Sequence, residues 1–181
     1  MAMKPSSSTT TSVPEIALPE ISPEMDSKHT SETLLFFKLM GVGAPFPENC
    51  NTDGFLDSFL RNFIKVDLIQ PGRISCTVVA KPPLCNGYGT LHGGAVASLV
   101  EVLSTACART VVAEDKQLFL GEISISYLSA TPMDEEVVAN ASVVKSGRNL
   151  TVVALEFKLK KTGNLLYLTH VTFYNMPVSS L

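Results

Sequence analysis

The sequence predicts an α+β fold: a six-stranded antiparallel sheet wrapped round one long central helix. Two strand-like runs come first, then a long apolar helical stretch, then four further strand-like runs joined by short connections. There is no alternating βαβ pattern and no internal repeat, which argues against a parallel nucleotide-binding sheet. An antiparallel sheet that curls round an apolar helix buries that helix on most sides.

Residues 1–30 are rich in Ser, Thr and Pro ("MKPSSSTTTSVPEIALPEISPEMDS") and are expected to be disordered. A Ser-rich start suits a transit peptide, but this one lacks Arg and carries Glu15, Glu20, Glu24 and Asp26, which argues against import. Short helices are expected over 31–62. In "HTSETLLFFKLMG", Thr30 or Ser31 is placed to cap a helix that stops near Gly41. After the break "GAPFPENCNTDG", the spacing of "FLDSFLRNF" suits a second short helix.

The sheet domain is placed at 63–176, with a tail at 177–181. "IKVDLIQPGRISCTVVA" reads as two strands joined by a type II turn at Pro71-Gly72. A helix is expected from Gly93 to about Ala113. Its apolar residues (Ala95, Val96, Leu99, Val100, Leu103, Ala106, Cys107) spread wide round the cylinder, so most of it should be buried. The remaining strands are "QLFLGEISISYLS", "EEVVANASVVKSG", "NLTVVALEFKLK" and "NLLYLTHVTFYNM". Ile123, Ile125 and Tyr127 alternate with Ser124 and Ser126. The connections "ATPMD", "SGR" and "KKTG" suit successive antiparallel neighbours.

Composition narrows the function classes. Charged residues make up 17% of the chain, below the roughly 25% of a usual globular domain. A second copy of the chain is the simplest cover for the resulting uncharged surface. A net charge of −3 with no basic cluster argues against nucleic acid as a partner. The four cysteines have no C-x-x-C pair and the three histidines lie far apart, so neither a disulfide scaffold nor a metal site is expected. No apolar run reaches the roughly 18 residues of a membrane span.

The chemistry gathers in "NGYGTLHGGAVASLVEVLSTACART", residues 86–110. Gly93 and Gly94 at a helix start leave backbone N–H groups open to an anion or to a carbonyl oxygen becoming negative. Alternatively they only let the chain turn into the helix. Glu101 falls in the middle of the expected buried helix, where a carboxylate is costly without a partner. Arg109 is eight residues on, roughly 12 Å of helical rise, too far for direct contact. Glu101 is therefore a candidate general base or nucleophile. Gly93 and Glu101 are separated by the same rise and cannot serve one carbonyl from one chain. Two such helices lying antiparallel across a two-fold axis would bring them together, giving a homodimer with composite sites.

The pattern "N-x-x-G-T-L-H-G-G", followed by a long helix with an acid on its second or third turn, resembles the hotdog-fold acyl-CoA thioesterases. The similarity is to the phenylacetate-pathway and acyl-CoA thioesterase 13 (thioesterase superfamily member 2) branch, over about residues 60–176. The resemblance implies a hotdog fold, acyl-CoA as partner, no metal or redox cofactor, and a homodimer or homotetramer. It implies that Gly93 donates its N–H to the thioester oxygen, with Asn86 binding nearby and His92 holding the loop. Glu101 of the facing subunit would attack the thioester or activate water. The nearest branch has Asp at this position and other branches have Glu. That branch also places a water-orienting Ser on the following strand, where this chain has Leu120. Ser104 or Thr105, about one turn beyond Glu101, could take that role, or could be ordinary helix-face hydroxyls. The resemblance places the CoA nucleotide at the turn holding Lys145, Gly147 and Arg148, whose cations suit phosphates. A solvated hairpin turn explains the same residues.

The expected activity is hydrolysis of aliphatic or aryl acyl-CoA to free acid and CoA, in lipid metabolism. A hydratase of this fold needs a His shortly after the helix acid, and none occurs before His170. The alternative is a catalytically silent acyl-CoA binder, because Leu120 removes a helpful group. Cytoplasm is the expected compartment. The C-terminal Ser-Ser-Leu, a loose relative of the S-K-L address, makes the peroxisome the alternative.

Overall fold

The computed structural model describes residues 19–45 and 47–177. The chain divides at Asp53/Gly54 into two units. In the first, α1 runs Ser27–Leu39 and is capped by Asp26, whose carboxylate accepts from the N–H groups of Lys28 and His29. The cap therefore lies one turn before the expected Thr30 or Ser31. Those hydroxyls instead donate back to the carbonyls of Asp26 and Ser27, as Ser and Thr do inside a helix. The chain leaves α1 at Gly41, which takes the left-handed conformation (φ 76°). Of the Ser/Thr/Pro-rich segment, residues 1–18 lie outside the described residues, and 27–30 form the first turn of α1.

The second unit opens with α2 (Phe55–Leu60), then β1 (Ile64–Gln70) and β2 (Arg73–Val79). Gly72 has φ 72° between them, as a type II turn after Pro71 requires. The long helix α3 spans Gly93–Arg109, followed by β3 (Lys116–Tyr127), β4 (Glu136–Ser146), β5 (Leu150–Leu159) and β6 (Leu165–Pro177). The six strands form one antiparallel sheet in the order β1-β2-β4-β5-β6-β3.

Two expectations need correction. α3 stops at Arg109 rather than near Ala113. Thr110 ends it: its hydroxyl donates to the Cys107 carbonyl and accepts the N–H of Gly72, pulling the chain toward the β1–β2 turn. Nor is β3 a neighbour of β4. It lies beyond β6 at the sheet edge, and residues 128–135 cross back to β4. Three strand spacings are about 14 Å, and eight residues can reach roughly 27 Å. The crossing is held from both sides. Leu91 donates to the Thr131 carbonyl, Met133 donates to Gly89, and Asp134 donates to Ala80. The short connection is thus a strap beside the start of α3 and not a hairpin turn.

Core packing explains which helix face goes inward. Val96, Leu99, Val100, Leu103, Ser104, Cys107 and Ala108 of α3 are buried. All but Ser104 join Val137, Val153, Leu155, Phe157, Val171 and Phe173 of the sheet in one hydrophobic cluster. Ile123 and Ile125 pack against it from β3, as their alternation predicts. The opposite face of α3 is open: Gly94, Glu101, Ala106 and Arg109 are exposed. The helix is one-sided in a single chain, where the sequence suggested burial on most sides.

Candidate active site

The start of α3 is fixed by the residues just before it. Asn86 organises a tight loop: its side-chain oxygen accepts the N–H groups of Tyr88 (3.0 Å) and Thr90 (3.3 Å), and its amide donates to the Thr90 hydroxyl (3.0 Å). That is an Asx turn, and it commits the Asn86 side chain to its own loop. Gly89 completes the turn in the left-handed region (φ 71°). His92 is the N-cap of α3, and its Nδ1 accepts the Gly94 N–H at 2.9 Å. An accepting Nδ1 leaves the ring proton on Nε2.

These bonds decide which donors remain. The Gly94 N–H is taken by His92. The Val96 N–H closes the first helical bond to the His92 carbonyl, at 3.0 Å. Among the described residues the N–H groups of Gly93 and Ala95 have no partner, and that of Gly93 is on the first residue of the helix. An open donor at the positive end of a 17-residue helix suits an oxygen gaining negative charge. A Cβ on Gly94 would stand 3.1 Å from His92 Nδ1, so this glycine is the one the cap needs.

Glu101 departs from the expectation of a buried acid. It is exposed on the open face of α3, which needs no charge compensation, and it forms no ion pair with Arg109 or any other described residue. Arg109 instead donates to the Lys116 carbonyl, tying the helix end to β3. Residues 94, 98, 101, 105 and 109 fall at helical spacing and form one stripe. Thr105 lies on that stripe, and its hydroxyl has no hydrogen bond among the described residues. Ser104 is fully buried and donates to the Glu101 carbonyl at 3.1 Å, facing away from the stripe. Leu120 is half-buried and packs on the core.

Lys145, Gly147 and Arg148 are exposed at the β4–β5 turn, and neither cation pairs with a described acid. Asn175 of β6 braces this turn, donating to the Gly147 carbonyl at 2.8 Å. The structure does not bring the turn to Gly93 within one chain. The β4–β5 end of the sheet meets the Gly72 turn and the C-terminus of α3, through Val143 to Gly72 and Gly72 to Thr110. Gly93 lies at the other end of α3, about 25 Å away along the axis. Among the described residues no group of three or more His, Cys, Asp or Glu could hold a metal ion. The four cysteines are free, and burial raises the pKa of the Cys76 and Cys107 thiols.

Sequence reasoning missed three residues around the glycines. Tyr127 donates its hydroxyl to the Gly93 carbonyl at 2.9 Å. Its ring packs edge-on against Tyr167, whose hydroxyl shares a buried 2.8 Å hydrogen bond with Thr131. Burial holds the Tyr167 phenol above its usual pKa, so it stays protonated. The alternation ending in Tyr127 placed its ring on the helix side of the sheet, and that was the available signal.

A family model described as the thioesterase superfamily matches residues 88–165. Acyl-coenzyme A thioesterase 13 of Homo sapiens is 30% identical over 111 residues, covering 60% of this chain and 79% of the relative. The chain belongs to the thioesterase superfamily. The Mus musculus acyl-coenzyme A thioesterase 13 is likewise 30% identical, over 110 residues covering 60% of this chain and 78% of the relative. Zebra fish thioesterase superfamily member 2 aligns with a TM-score of 0.63 at 24% identity, covering 80% of this chain and 96% of that one. A hypothetical thioesterase protein with coenzyme A from Streptococcus pneumoniae aligns at 0.62 and 19% identity, covering 70% and 95%. At these identities the structures establish the fold. It is the hotdog fold of this thioesterase superfamily, one helix held in a six-stranded antiparallel sheet.

Proposed function

We propose that this chain hydrolyses acyl-CoA thioesters to a free acid and CoA, in sites shared between two copies. The observation that carries the reading is the open Gly93 N–H at the first residue of α3, beside a Gly94 N–H that His92 takes. The N–H would bind the thioester oxygen. A water oxygen attacks the carbonyl carbon while a carboxylate takes its proton, and the oxygen held at Gly93 becomes negative. The carbon–sulfur bond then breaks, and the departing thiolate receives the proton from the carboxyl group.

The carboxylate is Glu101 of a second copy, because the helical rise from Gly93 to Glu101 excludes its own chain. In an antiparallel pair of α3 helices, the open face of each meets its partner, and the C-terminal end of one lies near the N-terminus of the other. The Lys145–Arg148 turn is at that C-terminal end, so the same partner offers cations to the CoA phosphates. Asn86 and His92 shape the loop and cap from behind. Thr105, on the stripe with Glu101, is the group we assign to orient water where Leu120 offers no hydroxyl. Neither a metal nor a redox cofactor takes part in this scheme.

The test is loss of thioester absorbance with short, long and aromatic acyl-CoAs, beside Glu101→Gln. Wild-type turnover that falls about 10²–10⁴-fold in the variant supports general-base hydrolysis. Binding of acyl-CoA without turnover in the wild type would overturn it and favour a silent binder.

A further inference from the structure

The HGG start of α3 contains two consecutive glycines, and glycine backbones turn easily about both dihedrals. A donor on such a segment helps catalysis only if its direction is fixed before the substrate arrives. The peptide unit between Gly93 and Gly94 is gripped at both ends. Its N–H donates to His92 Nδ1 at 2.9 Å, and its carbonyl accepts the Tyr127 hydroxyl at 2.9 Å. The Gly93 N–H belongs to the preceding peptide unit, whose carbonyl accepts from Val96. With both units held, the Gly93 donor has one direction.

Tyr127 is itself well supported. Although its side chain is about half exposed, its ring sits 5.6 Å from Tyr167, edge to face, and a Cβ on Gly93 would lie 3.6 Å from the Tyr127 ring. Tyr167 bonds Thr131, and the Thr131 carbonyl accepts the Leu91 N–H at 2.9 Å. The Tyr127–Tyr167–Thr131 set therefore holds the Leu91–Gly94 segment on either side of His92.

We infer that Tyr127 is a positioning residue for the thioester-binding donor: by holding the Gly93 carbonyl it orients the Gly93–Gly94 peptide and, through it, the open Gly93 N–H. The inference rests on the proposed hydrolase reading for its catalytic consequence, and on geometry alone for the peptide it fixes.

Tyr127→Phe removes only the hydroxyl and keeps the ring packed. Its kcat should fall about tenfold, the scale of one lost hydrogen bond, with KM changed less than about twofold. Hydrogen exchange at the Gly94 N–H should quicken as the peptide loosens. Tyr174→Phe, on β6 away from the glycines, controls for losing any tyrosine hydroxyl and should alter neither quantity. Unchanged kcat in an active enzyme, or unchanged Gly94 exchange, overturns the inference. If the wild type lacks turnover, the hydrolase reading fails by itself, and Gly94 exchange still decides whether Tyr127 holds the peptide. Should Tyr127→Phe unfold, Thr131→Val removes the Tyr167 hydrogen bond, and the same exchange readout then applies.

Discussion

Thr169 sits fully buried in β6 with a hydroxyl that has no hydrogen-bond partner among the described residues. A buried polar group left unmatched costs stability, and valine has nearly the same shape without the cost. Thr169→Val should stabilise the fold by about 1 kcal/mol, read as a higher urea midpoint at unchanged slope. A lower midpoint would mean that the hydroxyl does have a partner. At this scale the sequence was only partly readable. The start of α3 at Gly93 was legible from its paired glycines, whereas His92 as the cap was not, since histidine is not among the usual capping residues. The environment of Glu101 was not: apolar neighbours along the chain suggested burial, but residue 101 falls on the other side of the helix from Val100 and Leu103. Tyr127 was missed because its partner is 34 positions away.

At the scale of elements, β1 and β2 are pinned by a side-chain contact. Asp67 of β1 accepts the Thr77 hydroxyl of β2 at 2.6 Å and pairs with Lys65 at 3.0 Å. The Thr77 hydrogen bond, then Lys65, hold its carboxyl below the usual carboxylate pKa. A folded value below the unfolded one gives stability that is fully present above about pH 4, and it is lost as pH falls through the lowered value. Thermal midpoints followed from about pH 6 to about pH 2.5 should fall more in the wild type than in Asp67→Asn. Parallel falls would remove this role for Asp67. The elements were mostly legible, since alternation and turn chemistry are local. The placing of β3 was not. Five residues of "ATPMD" suit a hairpin equally well, and only the hydrogen bonds to Ala80, Gly89 and Leu91 turn them into a crossing strap. The end of α3 depended on a bond from the Gly72 N–H to the Thr110 hydroxyl, which no local pattern announces.

For the whole molecule, the open stripe of α3 carries the consequence. If Gly93 faces Glu101 across a two-fold axis, residue 97 faces its own copy, midway between them. Ala97→Asp would then set two like charges against each other. Light scattering should report a smaller particle, with circular dichroism unchanged and turnover lost. An unaltered particle size would place the pairing surface elsewhere. The low charged fraction is in keeping with an open, sparsely charged face, and composition alone could not say where it lies.

The most direct test of the shared site mixes two defective chains. Gly93→Pro removes the donor at a helix position that tolerates proline, after a residue whose ψ of 133° suits it, while Glu101→Gln removes the base. Each homo-oligomer should be nearly inactive. Co-expressed with different tags and purified through both, the mixed dimer should regain about half the wild-type turnover, because one of its two sites is then intact. If the mixed dimer stays as inactive as either parent, donor and base come from one chain, and the shared-site account is wrong.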